Sequence, residues 1–488
     1  MTPAARTQAV IDLLGDAFQA AEQQGLPADM LASRYFAQRR YAGKRDRQAI
    51  RDLLFDVLRR LPYSAAYYPP RVAMLAYARS QTPDLEAHFG SDGYAPAALQ
   101  DEECRDAVRL LAEPLDPPGI SDAWIRRWNH DAAQERMALT GRAALCLRVN
   151  IARTTRDGAM ARLAAEGLAA EPSLLSPFGL RLPAGARIES TQAFADGLID
   201  VQDEASQIFC RAAGVEPGMT VVDLCAGAGG KSLGLAMLMA GHGRLIACDP
   251  AAERLERLRP RAVREGADCI ERRVIPADAD QQVAALADVA GQADIVVVDA
   301  PCTGTGTWRR NPEARWRVHA GDIVRAADTQ AALIGAAARI VRPGGRILYG
   351  VCSLLPQEGE DVVTRMAQQV AGIKPVMLEP ARLSLPERAQ HLVGGLPLPD
   401  AEPPWVRRLF HRGFRQALLV LRDQSRAESA SGLTYVHAIT PFPRRCAHRP
   451  AGPCAGQHQC DQRRLAAPDP GCQRAAECPA VRRRRRPL

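Results

Sequence analysis

Cys302 and Cys352 each follow an apolar run, Ala293-Asp-Ile-Val-Val-Val-Asp299 and Gly345-Arg-Ile-Leu-Tyr-Gly-Val351. Upstream, Val221-Val-Asp-Leu224 breaks into the glycine-rich turn Cys225-Ala226-Gly227-Ala228-Gly229-Gly230-Lys231. Apolar runs of this length read as buried parallel strands, and ligands bind outside the carboxyl ends of such strands. One glycine loop and two thiols would then meet in one crevice. A thiol beside a cofactor loop points to covalent chemistry, because the thiolate is a strong nucleophile. A single strand-end cysteine is more often a small packing residue. Two of them, in Pro-Cys and Cys-Ser contexts behind the same loop, favour chemistry. Cys210, Cys225, Cys248 and Cys269 read as packing residues, Asp294 as a surface acid at a strand start, and His319 as a surface helix residue.

The glycine loop is too short for the GxxxxGK[ST] spacing of a triphosphate loop. Its glycines let the backbone approach a ligand, and the helix after it presents free N–H groups. The next strand ends in Cys248-Asp249-Pro250, where an acid suits a ribose hydroxyl, and Asp278 follows the third strand. Glycine loop, acid and acid, in that order, describe a dinucleotide or an adenosyl-type cofactor. Lys231, one of only three lysines with Lys44 and Lys374, closes the loop.

The elements that must hold these residues alternate. Strands are expected at 220–224, 244–248, 273–276, 294–299 and 346–351, with helices at 231–240, 251–264, 282–289, 322–341 and 359–369. Alternation of this kind gives a mostly parallel sheet covered by helices on both faces, an α/β fold. Residues 1 to about 140 read as all-helical, on the apolar spacing of Gln8–Ala21 and Gln48–Leu61. Between those helices lies Arg34-Tyr-Phe-Ala-Gln-Arg-Arg-Tyr-Ala-Gly-Lys44-Arg-Asp-Arg47, whose arginines and aromatics suit phosphate contacts and base stacking. The alternative is a solvated helix face with a loop. From about 141 to 195, the strand Ala144–Asn150 and the helix Asp157–Leu168 form a small α+β region.

Bulk charge adds little. The 63 Lys and Arg exceed the 55 Asp and Glu by eight, but 12 arginines and 4 acids fall after Ser425, leaving 51 of each before it. Any nucleic-acid partner must therefore be recognised by local patches. Eight of the 13 cysteines are scattered through the body without paired CxxC spacing, which favours a reducing compartment. With no stretch of membrane-span or signal-peptide type, the chain is expected to be cytoplasmic, off the membrane and monomeric.

The fourth strand end, Asp299-Ala-Pro-Cys302-Thr-Gly-Thr-Gly306, makes the resemblance specific. With Cys225–Lys231, Cys352-Ser353, Leu147-Arg-Val-Asn150, Val201-Gln-Asp-Glu-Ala-Ser-Gln207 and Arg309-Arg-Asn-Pro-Glu-Ala-Arg-Trp316, it resembles the RNA 5-methylcytosine methyltransferases of the RsmB (Fmu/Sun) family. The likeness covers roughly residues 1 to 400. Ala228 stands where many members have proline, and Val351 where threonine is usual. The resemblance implies a Rossmann-like class I methyltransferase domain over 196–425. It implies a NusB-like RNA-binding domain over 1–140 before it and an RRM- or ferredoxin-like region over 141–195. It implies S-adenosyl-L-methionine held by Cys225, Ala226, Gly227, Ala228, Gly229, Gly230, Lys231, Asp249, Asp278 and Asp299. Cys352 would be the nucleophile on cytosine C6, Asp299 would hold the base edge, and Cys302 would help release product. No metal is implied. The expected partner is RNA, above all small-subunit ribosomal RNA, and DNA is not expected.

Three other functions compete. An RNA-binding assembly or antitermination factor with an idle catalytic domain is opposed by intact Lys231, Asp299, Cys302 and Cys352. A transfer RNA cytosine-C5 methyltransferase would share the motifs. A DNA cytosine methyltransferase would place its nucleophile at the Pro-Cys, Cys302.

After about Asp400 the alternation fades, and 426–488 reads as a disordered basic tail rich in Cys, Pro and Arg. Cys446, Cys454, His458 and Cys460 fit no zinc spacing well. Shifted by one base, Pro404–Gly413 can read His-Gly-Ser-Asp-Gly-Phe-Phe-Ile-Ala-Gly, close to the family's final HG[TS]DGFF segment. A frameshift near residue 400 is therefore expected. Resequencing codons 395–415 tests it, and a clean in-frame read defeats it.

Overall fold

The apolar runs between 220 and 351 do assemble one sheet. Its strands are β5 (Thr220–Asp223), β6 (Arg244–Asp249), β7 (Ile270–Val274), β8 (Ala293–Asp299), β9 (Val341–Val351), β10 (Ile373–Val376) and β11 (Ala417–Asp423). A computed structural model describes residues 1–115 apart from 83, 86, 91 and 92, then 139–376, and the strand Ala417–Asp423. All of these belong to one compact unit, Met1–Pro443.

The strand order is β10-β11-β9-β8-β5-β6-β7. The five central and edge strands β5 to β9 pair in parallel, and β11 runs antiparallel to β9. The chain winds outward from β5 in one direction through β6 and β7, then returns to lay β8 on β5's other side. That reversal opens a crevice at the carboxyl ends of β5 and β8. Residues alternate between the two faces, as a strand period of two requires. Val222, Ile246, Val296, Val298, Ile347 and Tyr349 pack against the helices Ala320–Ile340 and Glu360–Gln369. Val221, Leu245, Ile295, Val297 and Leu348 pack on the opposite face against Glu204–Ala212, Gly230–Leu238 and Ala252–Glu265. Burying each such side chain contributes about 1.5–3 kcal/mol.

Strand β9 begins at Val341 rather than 346, directly after the helix Ala320–Ile340, and three further details differ from the sequence-based expectation. The third strand spans 270–274 rather than 273–276, pairing Leu245 with Ile270 and Asp249 with Val274. It is an edge strand, and Glu271, Arg272 and Arg273 break up the apolar signal. Those charges protect the edge, since Arg244 and Arg273 both pair with Glu271 and Asp288. The following helix starts at Ala279, not 282, because Asp278 accepts from the Gln281 N–H at 3.0 Å and caps it. The alternation does not end near Asp400, because Ala417–Asp423 enters the sheet between β9 and β10. Ala417-Leu-Leu-Val-Leu421 is a short apolar run hidden in basic, proline-rich surroundings. Pro404–Gly413 and the tail cysteines lie outside the described residues.

The small α+β region forms its own four-stranded antiparallel sheet, ordered β2-β3-β1-β4. Its strands are β1 (Leu145–Val149), β2 (Glu171–Pro172), β3 (Gly179–Leu182) and β4 (Ile199–Val201), with the helix Arg156–Ala165 packed against them. Ahead of it come the helices α1 (Pro3–Glu22), α2 (Ala28–Gln38), α3 (Lys44–Arg60), α4 (Pro70–Gln81) and α5 (Asp101–Leu111) around one apolar core. Trp316, from the turn Pro312–Arg317 after the Cys302 loop, enters that core. Its ring meets Phe18 edge-on at 5.2 Å, and its indole N–H donates to the Tyr63 carbonyl at 2.7 Å. Arg315 donates to the carbonyls of Leu58 and Leu61, and Arg317 to those of Gly25 and Leu26. The helical region thus grips the segment that leads away from Cys302. Among the described residues no helix is long and apolar enough to cross a membrane.

Candidate active site

β5 ends at Asp223, and the glycine loop follows. Asp223 is fully buried, and burial raises its carboxyl to about 6 despite a hydrogen bond from Ser232. Gly229 has φ +80°, and an added Cβ would lie 2.2 Å from Leu258 Cδ1, so only glycine fits. Asp249, at the end of β6, accepts from the Gly227 N–H at 2.9 Å and the Ala251 N–H at 2.9 Å. It ties the loop to the second strand. Two residues passed over in the sequence hold the loop from outside. Arg261 donates to the Ala228 carbonyl at 2.7 Å and pairs with buried Asp200. Gln202 donates to the Gly230 carbonyl at 2.8 Å. Gln202 lies in the Val201–Gln207 motif, so its spacing from the loop was visible, but its partner was not. Asp278 sits beyond β7 as a helix cap, exposed to solvent.

Lys231 closes the loop by reaching β8. Its ammonium lies 2.5 Å from Asp299 Oδ2. Burial works against the charged amine, but the Asp299 carboxylate outweighs it and raises the lysine above its ordinary value. The two side chains keep only 14% and 29% of their exposure.

Cys302 and Cys352 come together beside this pair, with their Sγ atoms 3.2 Å apart. Adjacent strands explain the meeting: Asp299 pairs with Gly350 in the β8–β9 register, and both chains turn over the sheet end. The Ala300 N–H donates to the Gly350 carbonyl at 3.0 Å, and the Gly306 N–H to the Cys352 carbonyl at 2.9 Å. A Cβ on Gly306 would sit 2.5 Å from that carbonyl, so this close approach needs glycine. The thiols are unequal. The hydrogen bond with Cys302 lowers the Cys352 thiol, against burial, while the same contact and burial push Cys302 well above the usual thiol range. Either sulfur can donate across this contact, and the environment favours Cys352 as the more readily ionised of the two.

The cysteines read as packing residues sit in the core. Cys210 and Cys248 are buried, and Cys225 and Cys269 pack against the same clusters. Burial raises Cys210 to about 12, and Cys225 well above its ordinary value. His319 is exposed at the start of the helix Ala320–Ile340. Asp294 does more than face water: it accepts from the Thr220 N–H at 2.8 Å and from Arg342 at 2.7 Å, joining three strand starts.

A basic cleft of about 470 Å³ lies between α3 and the turn before residue 188. Arg40, Lys44, Arg47, Arg51 and Arg187 line it, and no acidic residue does among those described. Arg187 donates to Gln48 at 3.2 Å, joining the small α+β region to the helical one. The neighbouring aromatics are split: Tyr35 and Phe36 are buried, and Tyr41 is 72% exposed.

Comparison with known proteins identifies the family. Residues 213–393 match the family model for the 16S rRNA methyltransferase RsmB/F, and residues 117–189 match the ferredoxin-like domain of RsmF/B-like methyltransferases. Ribosomal RNA small subunit methyltransferase B of Xanthomonas campestris pv. campestris is 33% identical over 365 residues, covering 67% of this chain and 80% of that protein. The protein of the same name from Pseudomonas syringae pv. tomato is 30% identical over 340 residues, covering 67% and 72%. Among solved structures, PH0851 shares the fold at a TM-score of 0.61 and 21% identity, over 87% of this chain and 98% of its own. NSun6 from Pyrococcus horikoshii, solved with SFG, does so at 0.52 and 19%, over 64% and 99%. A methyltransferase sheet, a glycine loop at its first strand and paired thiols at its fourth and fifth strand ends stand together with these matches: the chain belongs to the RsmB/F family of small-subunit ribosomal RNA methyltransferases.

Proposed function

We propose that this chain methylates C5 of a cytosine in small-subunit ribosomal RNA, using S-adenosyl-L-methionine and a transient bond from Cys352 Sγ to C6 of the base. The observation that carries this reading is the contact of Cys302 with Cys352 at 3.2 Å beside the Lys231–Asp299 pair. Cytosine C5 is a poor nucleophile. Addition of the Cys352 thiolate at C6 turns the ring into an enamine whose electron pair lies at C5. Asp299, steadied by Lys231, holds the cytosine edge by accepting from the exocyclic amine, and from N3–H once N3 has taken a proton from water as the thiolate adds. The residues of the first two strand ends fit an adenosyl cofactor: a loop with left-handed Gly227 and Gly229, and Asp249 beside it for the ribose. Asp278 would add an adenosine contact at the third strand end. When bound, the cofactor supplies an electrophilic methyl group on a sulfonium. After transfer to C5, Cys302 assists passage of the C5 proton to water. The C5=C6 bond re-forms as Cys352 leaves with its electron pair, so the protein ends unchanged. A base inside a duplex would first have to be extruded.

The helical N-terminal region, NusB-like in this reading, brings the RNA in. Its basic cleft holds backbone phosphates, which position the strand without reading sequence. Lys44→Glu combined with Arg187→Glu is expected to weaken RNA binding and flatten the plot of log affinity against log salt by about one unit per lost phosphate contact. An unchanged slope in a filter-binding titration would remove the cleft from the RNA path. The reaction itself is tested by incubating unmodified small-subunit RNA with the protein and methyl-labelled cofactor, then digesting to nucleosides. Label is expected in 5-methylcytidine. Label in another nucleoside, or none, defeats the proposal.

A further inference from the structure

Glu358 is completely buried, yet it carries a carboxylate a few residues from the nucleophile. It ends the turn Pro356–Glu358, which follows β9. Its Oε1 accepts from the Thr303 N–H at 2.8 Å and from Gln330 Nε2 at 3.2 Å. Its Oε2 accepts from the Ser353 hydroxyl at 2.5 Å and from the Thr303 hydroxyl. Thr303 is the residue after Cys302, and Ser353 the residue after Cys352. One carboxylate therefore binds both cysteine loops at the position next to each thiol.

The surroundings keep it in place. The buried Tyr349 hydroxyl donates to the Glu358 carbonyl at 2.6 Å. The Thr305 and Ser353 hydroxyls lie 3.2 Å apart, and the Leu354 N–H donates to Thr305 Oγ1 at 2.7 Å. Hydrogen bonds to a buried ionised group are worth roughly twice neutral ones, and losing the acceptor would strand several buried donors. Nothing in this cluster is exposed enough to need a charge for solubility. From sequence, Glu358 falls just before the helix expected over 359–369, and nothing in its residue type marks this role.

We infer that Glu358 is a positioning residue for the methyl transfer: it fastens the Cys302 loop to the Cys352 loop and so sets the distance between the two thiols. The inference rests on the assignment of Cys302 and Cys352 to the reaction, but its test does not depend on RNA. Diamide, a diazene that takes one proton and one electron from each thiol and becomes a hydrazine, joins only cysteines that meet. In the full-length protein, the rate at which the Cys302–Cys352 disulfide peptide appears measures how long the loops stay aligned.

Glu358→Ala is expected to slow that crosslink severalfold and to lower kcat about a hundredfold, as small misplacement of reacting groups does, with KM for the cofactor nearly unchanged. Glu358→Gln keeps an acceptor for the Thr303 N–H and is expected to recover most of both rates. If the Ala variant does not fold, Ser353→Ala cuts one arm of the tether and is expected to slow the crosslink in the same direction. Wild-type crosslinking in a folded Glu358→Ala or Ser353→Ala variant overturns the inference, as does a Gln variant as impaired as the Ala one. Rapid crosslinking in a wild-type protein that methylates no cytosine would instead overturn the reaction and leave the tether standing.

Discussion

Cys302→Ala, incubated with unmodified small-subunit RNA and S-adenosyl-L-methionine, is expected to accumulate a protein–RNA species that survives denaturing electrophoresis, whereas Cys352→Ala forms none and methylates nothing. The two thiols are 3.2 Å apart, so position alone does not say which one attacks. Their environments do. The contact between them lowers the Cys352 thiol, while the same contact and burial raise that of Cys302. On the proposed route the more readily ionised sulfur is the nucleophile, and removing it removes that route. In the proposed reaction Cys302 acts after the methyl group has moved. Its loss leaves the Sγ–C6 bond formed and its breakdown slow. An adduct in the Cys352→Ala protein would exchange the two roles, and would favour the arrangement expected of a DNA cytosine methyltransferase.

Asp299→Ala should be the next most damaging change, in two separate measurements. It deletes the group assigned to the base edge, and loss of one such preorganised polar contact lowers turnover by about 10²–10³-fold. It also leaves the Lys231 ammonium, 14% exposed, without the carboxylate 2.5 Å away. Breaking a buried ion pair from one side costs about 3–5 kcal/mol, and the partial exposure of Asp299 puts this case near the lower figure. The double change Lys231→Met with Asp299→Ala should recover much of the lost stability, because no uncompensated charge remains, and none of the activity. A double variant that melts no higher than Asp299→Ala would show that the ion pair is not what the single change breaks. Methylation at the wild-type rate by Asp299→Ala would take Asp299 out of base recognition.

Much of this site is legible in the sequence because strand ends are. An apolar run of five to seven residues that stops at Asp, Pro-Cys or Cys-Ser marks both a buried strand and the point where the chain leaves the sheet. That places Asp249, Asp299, Cys302 and Cys352 on one edge from the sequence alone. The residues that hold them in register are not legible in the same way. Glu358, Gln202 and Arg261 act through backbone carbonyls and N–H groups of other segments, and a hydrogen bond to a main-chain atom leaves no residue type in the partner to recognise. Trp316 is similar: its motif is visible, but the pocket it fills is built by Phe18 and Tyr63, which lie 298 and 253 residues earlier in the chain. Strand β7 was misplaced for a different reason. Its exposed edge is written in Glu and Arg, so the hydrophobic pattern that finds central strands fails there.

The division of labour follows from these contacts. Asp249, Arg261 and Gln202 fix the glycine loop, while Lys231 joins that loop to the fourth strand end. The helical region holds the Trp316 turn, which continues from the Cys302 loop. On the proposed reading, RNA held along the basic cleft would bear on the same helical region that grips the segment after Cys302.

The sulfur of residue 352 can be interrogated most directly with RNA in which cytidine is replaced by 5-fluorocytidine. Fluorine at C5 cannot leave as a proton does, so the wild-type protein stalls with the base attached and methylated. Digestion with protease and nuclease, followed by peptide mass mapping, should find the methylated fluoropyrimidine on the peptide that contains Cys352. The same mass on the Cys302 peptide, or no modified peptide from a protein that still methylates unsubstituted RNA, would contradict the covalent route drawn here.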